Sequence, residues 1–344
     1  MDDLRPDEPT LAEARAAVEW LTGGYWTTQV VYVMAKLGLA DHLADGPRHV
    51  DDLAAATGAH APTLSRLLRA LVGLGLAREG ADGRFEATIL GRCLATGTPG
   101  SLRGRAILSG EIFYTAWGAL LHSVLTGVPA FDHQFGAPSY EYLGRHPDVA
   151  AVFNETMASA TSLAADALAT VYDFGGATTV VDVGGGSGAL LARILRAGPH
   201  LRGILFDLPE VAPAADGVLV GAGVADRCRV VAGDFFADEL PADGDVYVLS
   251  WIIHNWDDER SVALLRNCRR AMAHDAHLLL VERVLPPDDE PSPLALWDLH
   301  MLVMTTGRER TEDEFRTLLA AADLELTQVV ETDGPRCVIE ASPR

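Results

Sequence analysis

The chain has 344 residues and a formal net charge of −21, with a pI near 4.8. That length predicts about two domains with ample material for a buried core. Such acidity argues against nucleic acid or an anionic membrane as partner, since both select basic surface.

Taken in order, the Met1–Pro6 stretch is acidic and lacks the apolar core of a signal peptide. Leu11 to Leu43 reads as helix, with an apolar set from Trp20, Leu21, Tyr25 and Trp26 through Leu37. A helix apolar over so much of its surface is either central or covered by a second chain, and a subunit interface is the expectation. Two short helices around Gly58, spanning His49–Gly58 and Ala61–Leu71, then a hairpin around Ala81-Asp82-Gly83, make a winged helix. Such a module either binds DNA, through Arg66 and Arg69, or holds two subunits together. The acidity of the chain favours the second role.

Ser101 to Ala169 reads as mostly helical and carries Phe113, Trp117, Phe153 and Met157 among its large side chains. Most of these belong to a core, but some could line a pocket for a flat ring. From Thr178 onward short apolar runs alternate with helical stretches, as in a doubly wound α/β domain. The runs are Val180–Val183, Gly203–Phe206, Cys228–Val231, Val246–Ile253 and His277–Val281, followed by the late pair Glu325–Val330 and Arg336–Glu340. Helices are expected at Leu190–Ala197, Glu259–Ala273 and Thr311–Ala322. The expected organisation is a winged-helix dimerisation domain over residues 1–100, a helical linker region over 101–172, and a Rossmann-like α/β domain over 173–344. Four scattered cysteines fit buried thiols in a reducing, cytoplasmic setting. No apolar run approaches the ~20 residues that span a bilayer.

The first run ends in Asp182-Val183-Gly184-Gly185-Gly186-Ser187-Gly188, a strand, tight turn and helix start suited to a nucleotide-like ligand. Its spacing fits a relaxed dinucleotide fingerprint. It equally resembles the S-adenosylmethionine motif of class I methyltransferases. Asp207, at the end of the next run, can take ribose hydroxyls in either case. Further on, Gly233-Asp234-Phe235-Phe236 places a carboxylate beside aromatic rings, suited to an adenine. The fourth run leads into Ser250-Trp251-Ile252-Ile253-His254-Asn255-Trp256-Asp257-Asp258-Glu259, which puts a histidine at the mouth of the sheet, where ligands bind. The acids after it start a helix, with Asp257 or Asp258 as the N-cap. His254 with those acids matches no defensible metal spacing, so no metal is expected.

These runs, with Phe153-Asn154-Glu155-Thr156-Met157 and Gly307-Arg308-Glu309-Arg310-Thr311, resemble the small-molecule O-methyltransferases. The family includes the plant caffeate and flavonoid enzymes, acetylserotonin methyltransferase and bacterial polyketide-tailoring enzymes. The resemblance implies S-adenosylmethionine as cofactor and S-adenosylhomocysteine as product. It assigns Gly184, Gly186, Asp207, Asp234, Phe235 and Ser250 to cofactor binding. Asp182, Leu208, Gly233, Phe236 and Trp251 adjoin these positions and join the same set. It makes His254 the general base, flanked by Glu282 and Glu309, and Met157, Trp297, Met301 and Met304 the lining of the acceptor pocket. Phe113, Trp117 and Phe153 are added to that lining. Ser250 is often Lys in the plant enzymes, and Asn255 often Asp. The implied function is methylation of a hydroxyl on an aromatic small molecule, a phenolic or polyketide-derived acid of secondary metabolism, by a homodimer. Two rivals are an NAD-dependent oxidoreductase, which leaves His254 and Trp256 unexplained, and a ligand-responsive winged-helix regulator, which the charge disfavours.

Overall fold

The computed structural model describes residues 9–287 and 291–344; Met1–Pro6 lies outside them. The chain divides into two compact units between Tyr114 and Thr115.

In the first unit the expected long helix is three, Leu11–Thr22, Gly24–Lys36 and Leu39–His42. The break falls at Gly23-Gly24, where the Gly23 N–H closes the first helix on Glu19 and Trp20 carbonyls. Tandem glycines lower helix propensity enough for the chain to turn there. Thr10 and Glu13 form a capping box at the first helix start. Helices Val50–Thr57 and Ala61–Gly73 follow, and the second buries Leu64, Leu68 and Leu71 along one face. Strands β1 (Ala77–Glu79) and β2 (Phe85–Ala87) pair as the expected antiparallel hairpin. Gly110 lies against Tyr32 so closely that a Cβ there would sit 2.2 Å from its ring. Trp20, Leu21 and Trp26 stay 70%, 75% and 61% exposed in this chain.

The second unit is built on a seven-stranded sheet: β3 (Thr179–Val183), β4 (Arg202–Asp207), β5 (Cys228–Ala232), β6 (Val246–Ser250), β7 (His277–Glu282), β10 (Leu324–Glu331) and β11 (Cys337–Pro343). Their spatial order is β10-β11-β7-β6-β3-β4-β5. The five strands from β3 to β7 are parallel, and β11 runs antiparallel to both β7 and β10. Apolar clusters cover the two faces, one around Leu249, Leu264 and Leu280, the other around Leu191, Val248 and Leu279. Two short strands, β8 (Val284–Leu285) and β9 (Arg310–Thr311), pair in parallel beyond the carboxyl end of β7.

The fourth strand departs from expectation. The apolar run to Ile253 is a strand only as far as Ser250, and Ile253–Asn255 is a turn of 3-10 helix. Trp251 breaks the strand with φ 59°. Left-handed backbone at a bulky non-glycine residue costs about 1–2 kcal/mol, and such strain collects at functional sites. Helix Ala295–Met304 was not foreseen, nor was Ala215–Gly221. No described helix is long and apolar enough to cross a membrane.

Candidate active site

The strand ends at the centre of the sheet form a glycine cradle. Gly184 and Gly186 hold φ values of 73° and 55°, which side-chain-bearing residues rarely adopt. A Cβ on Gly184 would lie 2.7 Å from Ile252. The Gly186 N–H donates to Asp207 Oδ2 at 2.7 Å, and the Leu208 N–H donates to Oδ1 at the same distance. Each carboxylate oxygen keeps lone pairs for further donors. Asp182 is buried, its Oδ2 has no hydrogen-bond partner, and burial aided by Asp207 pushes its carboxyl up to about 7. Gly233 packs on Phe206, where a Cβ would collide with the ring at 2.5 Å. Asp234 Oδ1 accepts the Phe236 N–H at 2.8 Å, so this acid also shapes its own turn. Phe235, Phe236 and Trp256 pack edge to face beside it.

His254, Glu282 and Glu309 converge beyond β6 and β7, and all three are buried. His254 Nδ1 is 3.2 Å from Glu309 Oε1 and 3.8 Å from Glu282 Oε2. A carboxylate only accepts, so Nδ1 carries the hydrogen and Nε2 is left as the acceptor of the ring. Burial alone opposes charge on this imidazole. The Glu282 carboxylate and the hydrogen bond to Glu309 outweigh it, and the group is raised above its ordinary value. Burial also raises the Glu282 carboxyl. Glu282 Oε1 accepts the backbone N–H groups of Ile252 and Ile253 at 3.0 and 2.9 Å, which fixes the turn carrying His254.

Several residues that build this arrangement went unread in the sequence. Arg310, 1% exposed, donates to Asp258, to the carbonyls of Ile253 and Trp256, and to Ser261, tying the His254 turn to the Glu309 loop. The Asn255 amide donates to the Trp251 carbonyl at 2.8 Å. A carboxylate there could not, which gives the Asn a local reason. Asp257, one of the two expected N-caps and so not among the unread residues, caps the following helix by accepting the Arg260 N–H. Asp298 Oδ1 accepts the Glu309 N–H at 2.9 Å. Arg283 and Arg336 are buried around Trp251, and nothing in composition or spacing marks two arginines for burial. Tyr140 is half exposed, yet burial with the charges of Asp207 and Glu282 pushes its hydroxyl up to about 12.

Among the expected acceptor-pocket residues, Trp297, Met301 and Met304 share one face of Ala295–Met304 at helical spacing. Trp117 Nε1 donates to His300 Nδ1 at 3.0 Å, and Trp297 meets the same imidazole edge-on. Phe153 packs edge-on to Tyr140. Met157 lies half-buried on Pro147–Val171. Phe113 is buried in the first unit, beneath the Arg105 guanidinium.

A family model described as an O-methyltransferase domain matches residues 117–325, and one described as an O-methyltransferase dimerisation domain matches 20–97. The phenazine O-methyltransferase of Lysobacter antibioticus is 50% identical over 320 residues, covering 93% of this chain and 94% of that protein. The chain belongs to the O-methyltransferase family. The crystal structure of LaPhzM is 49% identical with a TM-score of 0.91, covering 96% of this chain and 99% of that one. The structure of NcsB1, from neocarzinostatin biosynthesis and in complex with S-adenosylmethionine and 2-hydroxy-5-methyl naphthoic acid, is 35% identical with a TM-score of 0.80. It covers 92% of this chain and 96% of its own.

The fold is that of a class I methyltransferase with an N-terminal helical dimerisation domain, and the cofactor of this O-methyltransferase is S-adenosylmethionine. The residues fit it. The glycine cradle leaves the backbone open, Asp207 has free lone pairs for hydroxyls, and the orphaned Asp182 oxygen is a buried polar atom still to be satisfied.

Gly307 offers a direct test of the loop contact. A Cβ there would fall 1.9 Å from the His254 carbonyl oxygen and 2.4 Å from the Asn255 carbonyl carbon, both backbone atoms that cannot yield. Gly307→Ala should therefore push the Glu309 loop off the His254 turn and cut turnover at least tenfold, while calorimetry still records S-adenosylhomocysteine binding. Wild-type turnover in this variant would show that the contact is dispensable.

Proposed function

We propose that the protein transfers a methyl group from S-adenosylmethionine to a hydroxyl of an aromatic small molecule, with His254 as the general base. The observation that carries this reading is the buried His254, held through Nδ1 by Glu309, which leaves Nε2 as the acceptor of the ring. The aromatic acceptor is supported by the aromatic names and ligand of the relatives and by the Trp117, Trp297 and His300 cluster. Phe153, Met157, Met301 and Met304 complete the proposed lining. The acceptor is taken to be a phenolic or polyketide-derived acid. Asp182, Gly184, Gly186, Asp207, Leu208, Gly233, Asp234, Phe235, Phe236, Ser250 and Trp251 are the proposed cofactor contacts.

The chemistry asks little of the protein beyond position and a proton. The bound sulfonium supplies an already activated methyl group, so much of the barrier is met by holding the acceptor oxygen in line. His254 Nε2 takes the hydroxyl proton. A free phenol and an ordinary histidine differ by about 3.5 pKa units, about 5 kcal/mol. Complete deprotonation before transfer would spend that much, so proton removal accompanies methyl transfer. The raised basicity of His254 narrows the gap. His254, Glu282 and Glu309 could each bring one ligand atom to a metal, all within 4.8 Å. Arg283 Nη1 already stands 3.6 Å from Glu309 Oε1, so the cation beside that carboxylate is a guanidinium and the reaction is read as metal-independent.

His254→Ala should lower methyl transfer by about 10²–10⁴-fold, the usual worth of a positioned acid–base group, and leave S-adenosylhomocysteine affinity intact. For the wild type, protonation removes the base. The rate should fall as pH drops through a midpoint above the ordinary imidazole value, the direction in which His254 is shifted. Near-wild-type turnover of the alanine variant on the acceptor would leave catalysis to proximity alone.

The first unit is proposed to dimerise through the apolar face that includes Trp20, Leu21 and Trp26, with residues 1–100 as the dimerisation region, 101–172 as the helical acceptor region and 173–344 as the cofactor-binding domain. The dimerisation family match and the exposure of those three side chains support this. Leu21→Glu combined with Trp26→Glu should give a monomer mass by light scattering at micromolar concentration. An unchanged dimer would move the interface elsewhere.

A further inference from the structure

Four side chains stack in alternation beside the base. The Arg336 guanidinium lies 3.8 Å from the Trp251 ring centre, and Arg283 lies 5.2 Å from the same ring. Arg283 also lies 3.9 Å from the Trp297 ring centre. Arg283 is thus wedged between an indole on the strained β6 turn and one on the helix Ala295–Met304. Its side chain is 5% exposed. Such stacking favours the flat guanidinium over an ammonium.

That wedge aims at the carboxylate that holds the base. Glu309 Oε1 is reached by both His254 Nδ1 at 3.2 Å and Arg283 Nη1 at 3.6 Å. We propose that Arg283 is a positioning residue of this site, its guanidinium clamped by Trp251 and Trp297 so that it shares with His254 the one Glu309 oxygen both reach. It rests on His254 being the base.

The charges around His254 come from three directions. Glu282 and Arg283 approach from the end of β7, and Glu309 from the loop before β9. Arg336, next to β11, acts on Arg283 and on both glutamates. Asp298 and Tyr140 bear on Glu309 and Glu282 respectively. The two carboxylates favour the protonated form of the imidazole. Arg283 offsets one of them, and its charge opposes protonation of His254. The same guanidinium touches Trp297, so the acceptor wall and the tuning of the base share one side chain.

The test compares Arg283→Gln and Arg283→Lys with the wild type. Histidine labelled with ¹³C reports the His254 titration directly, its signal assigned by loss in His254→Asn, and calorimetry with S-adenosylhomocysteine confirms an intact fold. Arg283→Gln should move the His254 midpoint, and the acid limb of kcat with it, upward by about one pH unit, the size expected of losing a nearby charge. Activity should recover towards wild type as pH rises. Arg283→Lys keeps the charge but loses the stacked plane. It should leave the midpoint near wild type and raise KM instead. A midpoint that is unchanged or lowered in the Gln variant overturns the proposal. If that variant fails to bind S-adenosylhomocysteine, a Lys variant that folds but shifts the midpoint by a full unit overturns it equally. The titration reads the charge balance without turnover. A His254→Ala enzyme that still turns over would therefore defeat the base assignment while leaving the midpoint result to stand or fall by itself.

Discussion

The hydrogen bond between His254 and Glu309 joins two loops 55 residues apart, and the rest of the site depends on keeping those loops in contact. Burying a carboxylate is costly unless it is paired and hydrogen-bonded. Here the cost is offset in part by contacts that also fix geometry, while Glu282 Oε2 and Glu309 Oε2 have no hydrogen-bond partner among the described residues. Glu282 accepts two backbone N–H groups of the His254 turn, and Glu309 faces both the imidazole and Arg283. Arg310 then fastens one loop to the other by donating to the Ile253 and Trp256 carbonyls and to Asp258. The parallel pairing of β8 with β9 brings Arg310, and with it Glu309, back to the end of β7. Gly307 permits the approach because no side chain intervenes.

The cradle proposed for the cofactor is organised on a different principle. There the backbone does most of the work, through glycines with positive φ and the N–H groups of Gly186 and Leu208, which orient Asp207. The two halves meet at the ends of β3 and β6, adjacent strands in the sheet. Ile252 touches the Gly184 position, while its own N–H is bound by Glu282. A displacement of the His254 turn is therefore felt at the glycine cradle. The strain at Trp251 lies at this junction, relieved in part by the Asn255 amide on its carbonyl and by the stacked Arg336 and Arg283.

The parts of this architecture legible in the sequence are those with a short-range signature. The glycine turn after Val183, the alternation of buried strands and helices, the winged-helix order and the Asp257 cap all follow from local pattern. The end of β6 did not, because Trp251, Ile252 and Ile253 continue an apolar run and only a contact with Glu282 bends them into a turn. The single helix expected from Leu11 to Leu43 breaks at Gly23-Gly24, where propensity outweighed the apolar pattern. His254 was marked by its place just after the fourth apolar run, Glu282 and Glu309 by family resemblance, and the structure brings the three together. Arg283, Arg310 and Arg336 were invisible, since an arginine reads as surface until the carboxylates and indoles that accept it are placed in space.

The central claim is that His254 removes a proton while the methyl group is transferred. It is tested most directly by measuring single-turnover methyl transfer across a series of acceptor analogues of graded phenol acidity, in the wild type and in His254→Asn. If the imidazole carries the proton away, the wild-type rate should vary little with phenol acidity. The variant should depend on it steeply, and the two should converge for acceptors acidic enough to ionise unaided. Two parallel lines, with the same dependence on acidity in both proteins, would contradict the account.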